Sequence, residues 1–206
     1  MGSFALARRA VLGLIAAVLS FTAVQAGNPD AEAFAQRLAD EGVAILRDTA
    51  DPNRRAKFRD FVTQYADARR TALFTLGAYA RTTSDSDKEA FIVAFKEYAT
   101  AVYESRLDQY RGQTLKVTGS IENKPGDITV TTVIVDPNAR QPIRVAFRLL
   151  GGNGSYRFVD IQVEGIWLSI DQRDQFGAFL SQNGGSVPAL TAHLNRQTQQ
   201  IMASGR

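Results

Sequence analysis

The 206-residue sequence has no cysteine and only one histidine, His193. Without cysteine, neither a disulfide nor a thiolate-ligated metal site can form, so stability has to come from packing. No cysteine or carboxylate stands beside His193 at metal-ligand spacing, which favours a helix-face histidine over a catalytic base. The sequence also lacks Gly-x-Ser-x-Gly, a glycine-rich phosphate loop and His-Glu-x-x-His. We therefore predict no catalytic and no metal-binding residues.

An excess of charge of one sign is missing as well. The formal net charge is +3, and Arg8 and Arg9 supply two of these charges, so residues 27–206 carry +1. A nucleic-acid-binding protein would keep a marked basic excess, so this class is disfavoured. Two local basic clusters either meet anionic headgroups or an acidic partner, or are solvated helix faces. These clusters are Arg54, Arg55, Lys57 and Arg59, and Arg69, Arg70 and Arg81.

The longest apolar run, residues 10–24, is shorter than the roughly 20 residues that a membrane-spanning helix needs. It follows Arg8 and Arg9 and ends at Val24-Gln25-Ala26, which is the order of a signal peptide. We predict that residues 1–26 are a signal peptide cleaved after Ala26 and that residues 27–206 form a single domain. An uncleaved membrane anchor is the alternative.

The hydrophobic spacing changes twice along the rest of the chain. Helical spacing predicts four helices before residue 113 and two after residue 168, and alternation predicts about four strands between them. Turn residues at 124–127, 136–138 and 151–154 make the strands an antiparallel meander, and the whole an α+β fold. The predicted helices cover 30–48, 52–65, 67–79, 86–112, 169–182 and 186–199. Their predicted caps are Asp30, Asp51, the Ser86 and Glu89 pair, and Gly112.

Several ordered segments carry a resemblance to a known family. The segments are 71–79, 88–91 with Phe95 and Tyr98, 110–114, 133–138, 142–145 and 159–166. They resemble the MlaC family of periplasmic phospholipid-binding proteins, also called toluene-tolerance proteins, and the related hopanoid-associated HpnM proteins. The sequence departs from the family pattern at Ala80 and Trp167, which leaves the pocket shape and the cargo open.

The resemblance implies a fold and a function. The fold is a twisted antiparallel sheet with helices around a deep apolar pocket for acyl chains. The function is that of a periplasmic carrier without a cofactor, which moves phospholipid between membrane complexes and helps maintain outer-membrane lipid asymmetry. The implied partners are an inner-membrane ABC-type lipid transporter complex and an outer-membrane lipoprotein complex. Hopanoid is the alternative cargo.

Apolar residues on the predicted helices and on the inward face of the sheet are candidates for lining this pocket. Residues 166–168 are expected at its mouth, whereas Arg148 is expected to face outward. For each candidate, ordinary core packing is the competing interpretation. The candidates are Phe74, Tyr79, Phe91, Phe95, Tyr98, Val102, Val145, Phe147, Leu149, Ile161, Val163, Ile166, Trp167 and Leu168.

Two other function classes stay open. Asp160 and Glu164 stand four apart on a predicted strand and would share a face, as a hydrolytic carboxylate pair requires. A lipid esterase that uses the same cleft is therefore a secondary hypothesis, although no nucleophile accompanies the pair. A cargo-free scaffold between membrane complexes is the third.

The signal-peptide hypothesis is tested by the mass of the exported protein. We expect the mature chain to begin at Gly27, whereas Ala26→Arg, which removes the small residue at the cleavage site, should retain the precursor mass. Intact-mass spectrometry of the periplasmic and membrane fractions distinguishes the two. Recovery of the full-length wild-type chain in the membrane fraction would show an anchor instead.

Overall fold

The change from helical to alternating spacing occurs at Thr114, where the first strand begins. The computed structural model describes residues 27–204, so the predicted signal peptide lies outside the described residues. Within them, the helices are α1 (Pro29–Arg47), α2 (Arg54–Tyr65), α3 (Ala68–Thr75), α4 (Asp85–Glu104), α5 (Leu168–Gln182) and α6 (Val187–Ser204). Short 3-10 helices span Gly77–Arg81 and Leu107–Gln109. None of the helices in residues 27–204 has both the length and the apolar character needed to cross a membrane.

The strands form one antiparallel sheet in the order β1-β2-β3-β4-β5. The predicted α+β class and the antiparallel meander are confirmed. The predicted strand count was one too low, because the chain after β4 folds back and pairs as a fifth strand of two residues. The strands are β1 (Thr114–Lys124), β2 (Asp127–Val135), β3 (Ile143–Gly152), β4 (Ser155–Val163) and β5 (Ile166–Trp167).

The first two helices begin at caps other than those predicted. Asn28, not Asp30, caps α1, since its Oδ1 accepts a hydrogen bond of 3.0 Å from the Ala31 amide. Asp51 does not begin α2, because its carboxylate accepts from the Asn53 amide at 2.8 Å and so stabilises a turn ahead of the helix. In both places several cap-forming residues are neighbours, and spacing alone does not choose among them.

The predicted Ser86 and Glu89 capping pair is also wrong. Ser84 caps α4, and its Oγ accepts a hydrogen bond from the Asp87 amide at 3.1 Å. Glu89 instead forms a two-pronged ion pair with Arg69 on α3, at 2.6 and 2.7 Å. The capping motif is therefore shifted by two residues, and Glu89 joins two helices.

Two predicted helices end early. α3 ends at Thr75, because Gly77 adopts a φ of +56°, a conformation that favours glycine, before the 3-10 turn that contains Tyr79. α4 ends at Glu104, well before the predicted end at Gly112. The turn that follows α4 buries Leu107, which is 1% exposed, and this burial fixes the change of direction.

A bulge in β4 changes which residues face inward. Phe147 pairs with Ile161, as the alternation predicts, but the register then shifts and Leu149 pairs with Phe158. The shift leaves Val159 as the extra residue of the bulge. Strict alternation from Ile161 would point Phe158 outward, but beyond the bulge its side chain lies on the inward face.

The outer edge of β1 is covered by a side chain of α1. The Gln36 side chain accepts a hydrogen bond from the Val117 amide at 3.1 Å and donates one to the Leu115 carbonyl at 3.4 Å. An amide thus takes the place of a neighbouring strand on an edge that would otherwise be open to pairing with another chain.

The buried apolar residues form two separate clusters. The helical cluster joins α3, α4, α5 and α6, and the rings of Phe91 and Phe95 meet Phe176 edge to face at 5.9 and 6.3 Å. The sheet cluster packs α1 against the strands around Phe34 and Tyr156. The molecule is thus built around two packed centres rather than one.

Arg148 faces outward, as predicted, but it is bound to a buried carboxylate. Its Nε and Nη2 donate to Asp127 at 2.9 and 2.7 Å, and Asp127 is 2% exposed. The guanidinium of Arg148 lowers the pKa of Asp127, helped by a hydrogen bond from Asn123. Because Asp127 begins β2 and Arg148 lies near the end of β3, the ion pair fixes the pairing of the two strands at the end opposite their connecting loop.

The pair should respond unequally to loss of its two members. Arg148→Ala leaves a buried carboxylate without a counter-ion and should cost about 3 kcal/mol of unfolding free energy. Asp127→Asn should cost about 1 kcal/mol, because the Arg148 side chain is 44% exposed and stays hydrated. Urea unfolding of both variants measures the difference.

The same pair predicts a pH dependence. The folded-state pKa of Asp127 lies below its ordinary 3.8, so its contribution is complete above about pH 5 and is lost as the pH falls through the folded-state pKa. The unfolding free energy of Asp127→Asn should therefore fall less than that of the wild type between pH 5 and pH 2. An equal decrease of the unfolding free energy in the two proteins over this pH range would contradict the prediction.

Candidate functional site

A cavity of about 940 Å³ lies between the two clusters. This volume is near the upper end of the roughly 300–1,000 Å³ found for small-molecule pockets. The cavity is bordered by α1, α2, α3, α4, the inward face of the sheet and the start of α5. Most of the side chains that border it are aliphatic or aromatic, so it offers an apolar space to a ligand.

Helical spacing places whole faces of three helices on the cavity. On α1, Leu38, Gly42 and Leu46 stand four residues apart, and on α2 Phe58 and Phe61 stand three apart. A methyl group at Gly42 would lie 3.4 Å from the Phe61 ring, at the near limit of van der Waals contact, so glycine leaves the space between α1 and this ring unfilled. On α4 the bordering residues Ile92, Phe95, Ala99 and Val102 stand three or four residues apart.

The structure brings half of the predicted pocket residues to the cavity. These lie on α4, on the inward face of β3 and β4, and at the start of α5. Whether they contact a lipid stays a prediction. They are Phe95, Tyr98, Val102, Phe147, Leu149, Ile161 and Leu168.

The other predicted residues lie elsewhere. Phe91 is fully buried in the helical cluster, and Val145 is 5% exposed within the sheet. Phe74 lies on the surface beneath Arg173, whose guanidinium carbon is 4.9 Å from the ring centre. Ile166 is 60% exposed, so of residues 166–168 only the last borders the cavity. The remaining residues that do not border it are Tyr79, Val163 and Trp167.

The α1 and α2 walls were not among the predicted pocket residues. The spacing of Phe58, Phe61 and Val62 is visible in the sequence, yet it predicts only an apolar helix face. Spacing does not distinguish a cavity wall from solid core, because both place apolar residues on one side. Phe158 was missed for a different reason, since its orientation depends on the bulge.

The predicted carboxylate pair does not form. β4 ends at Val163, and Glu164 takes a φ of +48° and accepts hydrogen bonds from Arg144 at 2.6 and 3.0 Å. Asp160 borders the cavity but accepts hydrogen bonds from the Ser169 amide, at 3.0 Å, and from the Ser169 hydroxyl. Asp160 therefore caps α5, whose own cap residue makes no side-chain hydrogen bond.

The first basic cluster holds α2 in place. Arg59 donates to both oxygens of Glu104 at 3.0 and 3.1 Å, and Glu104 is only 7% exposed. Arg54 and Arg55 each reach Asp108 at 2.7 Å. These charges are used within the chain, so the interpretation of this cluster as a headgroup or partner surface is not supported. They fix α2 as a wall of the cavity.

His193 lies on α6, away from the residues that border the cavity. Its ring stacks on Phe179 with 4.8 Å between the ring centres. Among residues 27–204, no group of three or more His, Cys, Asp and Glu side chains is arranged to hold a metal ion.

The fold and the cavity define an α+β protein whose helices and antiparallel sheet enclose an apolar, ligand-sized space. The family model described as MlaC protein matches residues 36–196, and the chain belongs to the MlaC family. A solved structure of a phospholipid-binding protein from Ralstonia solanacearum, in complex with a phospholipid, has the same fold. It is 22% identical, with a TM-score of 0.70 over 84% of this chain and 99% of that chain. A closer relation to HpnM stays a prediction.

Two alanines of α1 allow the cavity wall to be compared with the packed core. Ala39 borders the cavity, whereas Ala31 is fully buried in the sheet cluster. Ala39→Asp should cost less than about 1.5 kcal/mol of unfolding free energy, because its carboxylate can be hydrated from the cavity. Ala31→Asp should cost about 3 kcal/mol or more, because it buries an unpaired charge.

Urea unfolding followed by circular dichroism measures both values. Ala31 lies near the N-terminus of α1, where an acidic residue is otherwise favourable, so helix electrostatics works against the expected difference. Equal destabilisation by the two substitutions would show that Ala39 is solid core.

Proposed function

We propose that the protein is a non-enzymatic carrier that holds the acyl chains of a phospholipid in the cavity and moves the lipid through the periplasm. The observation that supports this most directly is the apolar cavity of about 940 Å³ between two complete packed clusters. Family membership and the phospholipid-bound structure of a protein with the same fold support phospholipid as the cargo.

The energetics of burial indicate how such a carrier releases its cargo. Each buried methylene contributes about 0.8 kcal/mol, so about 30 methylenes would give about 24 kcal/mol. This exceeds the roughly 18–21 kcal/mol at which noncovalent affinity saturates, so ordering costs and incomplete enclosure must offset part of it. A cargo bound this strongly leaves usefully only by direct transfer to another protein.

Direct transfer requires partners at both membranes. We propose an inner-membrane ABC-type lipid transporter complex and an outer-membrane lipoprotein complex, as the family resemblance implies. Exchange between them would help maintain outer-membrane lipid asymmetry. The predicted signal peptide supports export to the periplasm, where both partners would be reached.

The cavity gives little support to the esterase hypothesis. Ser169 borders the cavity, but its hydroxyl donates to Asp160 and no histidine borders the cavity within the described residues. A serine nucleophile needs a base that removes its proton, and a capping carboxylate already engaged by the backbone is a poor one. Hopanoid remains the alternative cargo, and lipid identification decides between the two.

The carrier function is tested by the lipid that copurifies with the protein. Native mass spectrometry of wild-type protein from its host should show bound phospholipid. Ala39→Trp fills part of the cavity, and displacement of even two methylenes should lower the affinity about tenfold. Ala90→Trp, on the exposed side of α4, is the matched control and should keep its lipid.

Two results would contradict the proposal. Wild-type protein without lipid, or with only hopanoid, would exclude phospholipid carriage. Sustained release of fatty acid by the pure protein, lost in Ser169→Ala and Asp160→Asn, would replace the carrier by a hydrolase.

A further inference from the structure

Seven charged side chains border the cavity, and six of them are engaged by another described residue. The engaged ones are Asp67 with Arg70, Arg69 and Glu89 with each other, Arg157 with the Gln64 carbonyl, Asp160 with Ser169, and Asp171 with Gln175. The seventh is Lys96, which has no hydrogen bond or ion pair with any residue in 27–204. Lys96 is thus the one charge on the cavity wall that this part of the chain leaves without a partner.

Lys96 lies where the cavity meets water. It belongs to one face of α4 with Glu89, Val93, Thr100 and Tyr103, spaced alternately four and three residues apart. Val93 is 61% exposed and Tyr103 is 36% exposed, although both border the cavity. We call this face the α4 rim, because it combines contact with the cavity and access to solvent.

The neighbouring groups on the α4 rim do not compete with Lys96 for an anion. Arg69 places two guanidinium nitrogens on Glu89, and these hydrogen bonds lower the pKa of Glu89, which keeps the pair ionised at neutral pH. Tyr103 carries a phenol, which is neutral at neutral pH and so is no competing charge. The rim therefore presents a single available positive charge flanked by the uncharged side chains of Val93 and Thr100.

An amphiphilic lipid with its acyl chains in the cavity would place its polar headgroup near the ammonium group of Lys96. Acyl chains in the apolar interior place the phosphate at the boundary with water, where a lysine can reach it on a flexible four-carbon stem. Its ammonium carries three donors suited to phosphate oxygens. A hopanoid or a diacylglycerol has no such anion to offer.

We propose that Lys96 binds the phosphate of the cargo lipid and so makes the carrier select phosphate-bearing lipids over neutral ones. The inference rests on the proposed function, because it presupposes a lipid in the cavity. Under this proposal, one residue of the α4 rim determines which class of lipid is bound. The apolar walls contribute affinity for phosphate-bearing and neutral lipids alike.

A competition between two lipids with the same acyl chains tests the proposal. Delipidated protein is incubated with vesicles that contain equimolar phosphatidylcholine and diacylglycerol, and the ratio of the two lipids on the protein is measured by mass spectrometry. Wild-type protein should favour phosphatidylcholine. Lys96→Met, which keeps an unbranched apolar stem, should reduce that preference about three- to fivefold, and Lys96→Arg should largely restore it.

A ratio is used because only folded, loaded protein contributes to it. Lys116→Met, at an exposed lysine on β1 that does not border the cavity, is the matched control and should leave the ratio unchanged. Excess inorganic phosphate, compared with chloride at equal ionic strength, should also leave it unchanged, because free phosphate lacks acyl chains to hold it there. A fall of the wild-type ratio to the Lys96→Met value under phosphate would assign Lys96 to free phosphate and overturn the proposal.

The outcomes separate this inference from the proposed function. If wild-type protein takes up neither lipid, the carrier function fails. If it takes up both and Lys96→Met leaves their ratio unchanged, the carrier stands and the role of Lys96 is refuted. If Lys96→Met leaves the ratio unchanged but transfers lipid poorly to acceptor membranes, Lys96 acts in transfer at the membrane surface, which also refutes its role in selection.

Discussion

An apolar space between two packed cores has to be held open, and the rest of the structure depends on this constraint. Protein interiors normally close to a packing density of about 0.74, and an unfilled cavity costs stability because its lining lacks contacts. Here the helical cluster and the sheet cluster pack separately, and polar contacts fix the elements around the cavity. Arg59 with Glu104 joins α2 to α4, and Ser169 with Asp160 joins α5 to β4.

The α2 wall is held in place largely by polar contacts. Its most buried residue is Arg54. Phe58 and Phe61 border the cavity, and only Tyr65 of its aromatic side chains packs against the sheet cluster. Ion pairs to Glu104 and Asp108 therefore take the place of apolar packing in fixing the helix. A ligand in the cavity would supply the missing contacts, so occupancy and stability of this wall are coupled by mass action.

Hydrophobic spacing was enough to predict the α+β class, the antiparallel meander and the positions of most elements. It was not enough to predict the cavity, as two residues of α4 illustrate. Phe91 and Phe95 stand one turn apart on the same stripe, yet Phe91 is enclosed by the helical cluster and only Phe95 also borders the cavity. The difference depends on which other elements pack against each ring, and that is a tertiary property with no local signal. The position of Phe158 likewise depends on a bulge that the hydrophobic spacing does not predict.

The distribution of charge around the cavity follows from what a carrier must do. Directional contacts with the cargo raise affinity and slow release, and acyl-chain burial alone already approaches the affinity limit. Charged groups that are paired with each other, such as Arg69 and Glu89, shape the opening without adding to the affinity for a lipid. A single unpaired lysine at the water boundary contributes little affinity, because an exposed ion pair is worth at most about 1 kcal/mol. That is still enough to orient an amphiphile and to distinguish a phosphate from a hydroxyl, so selection and release can coexist at one opening.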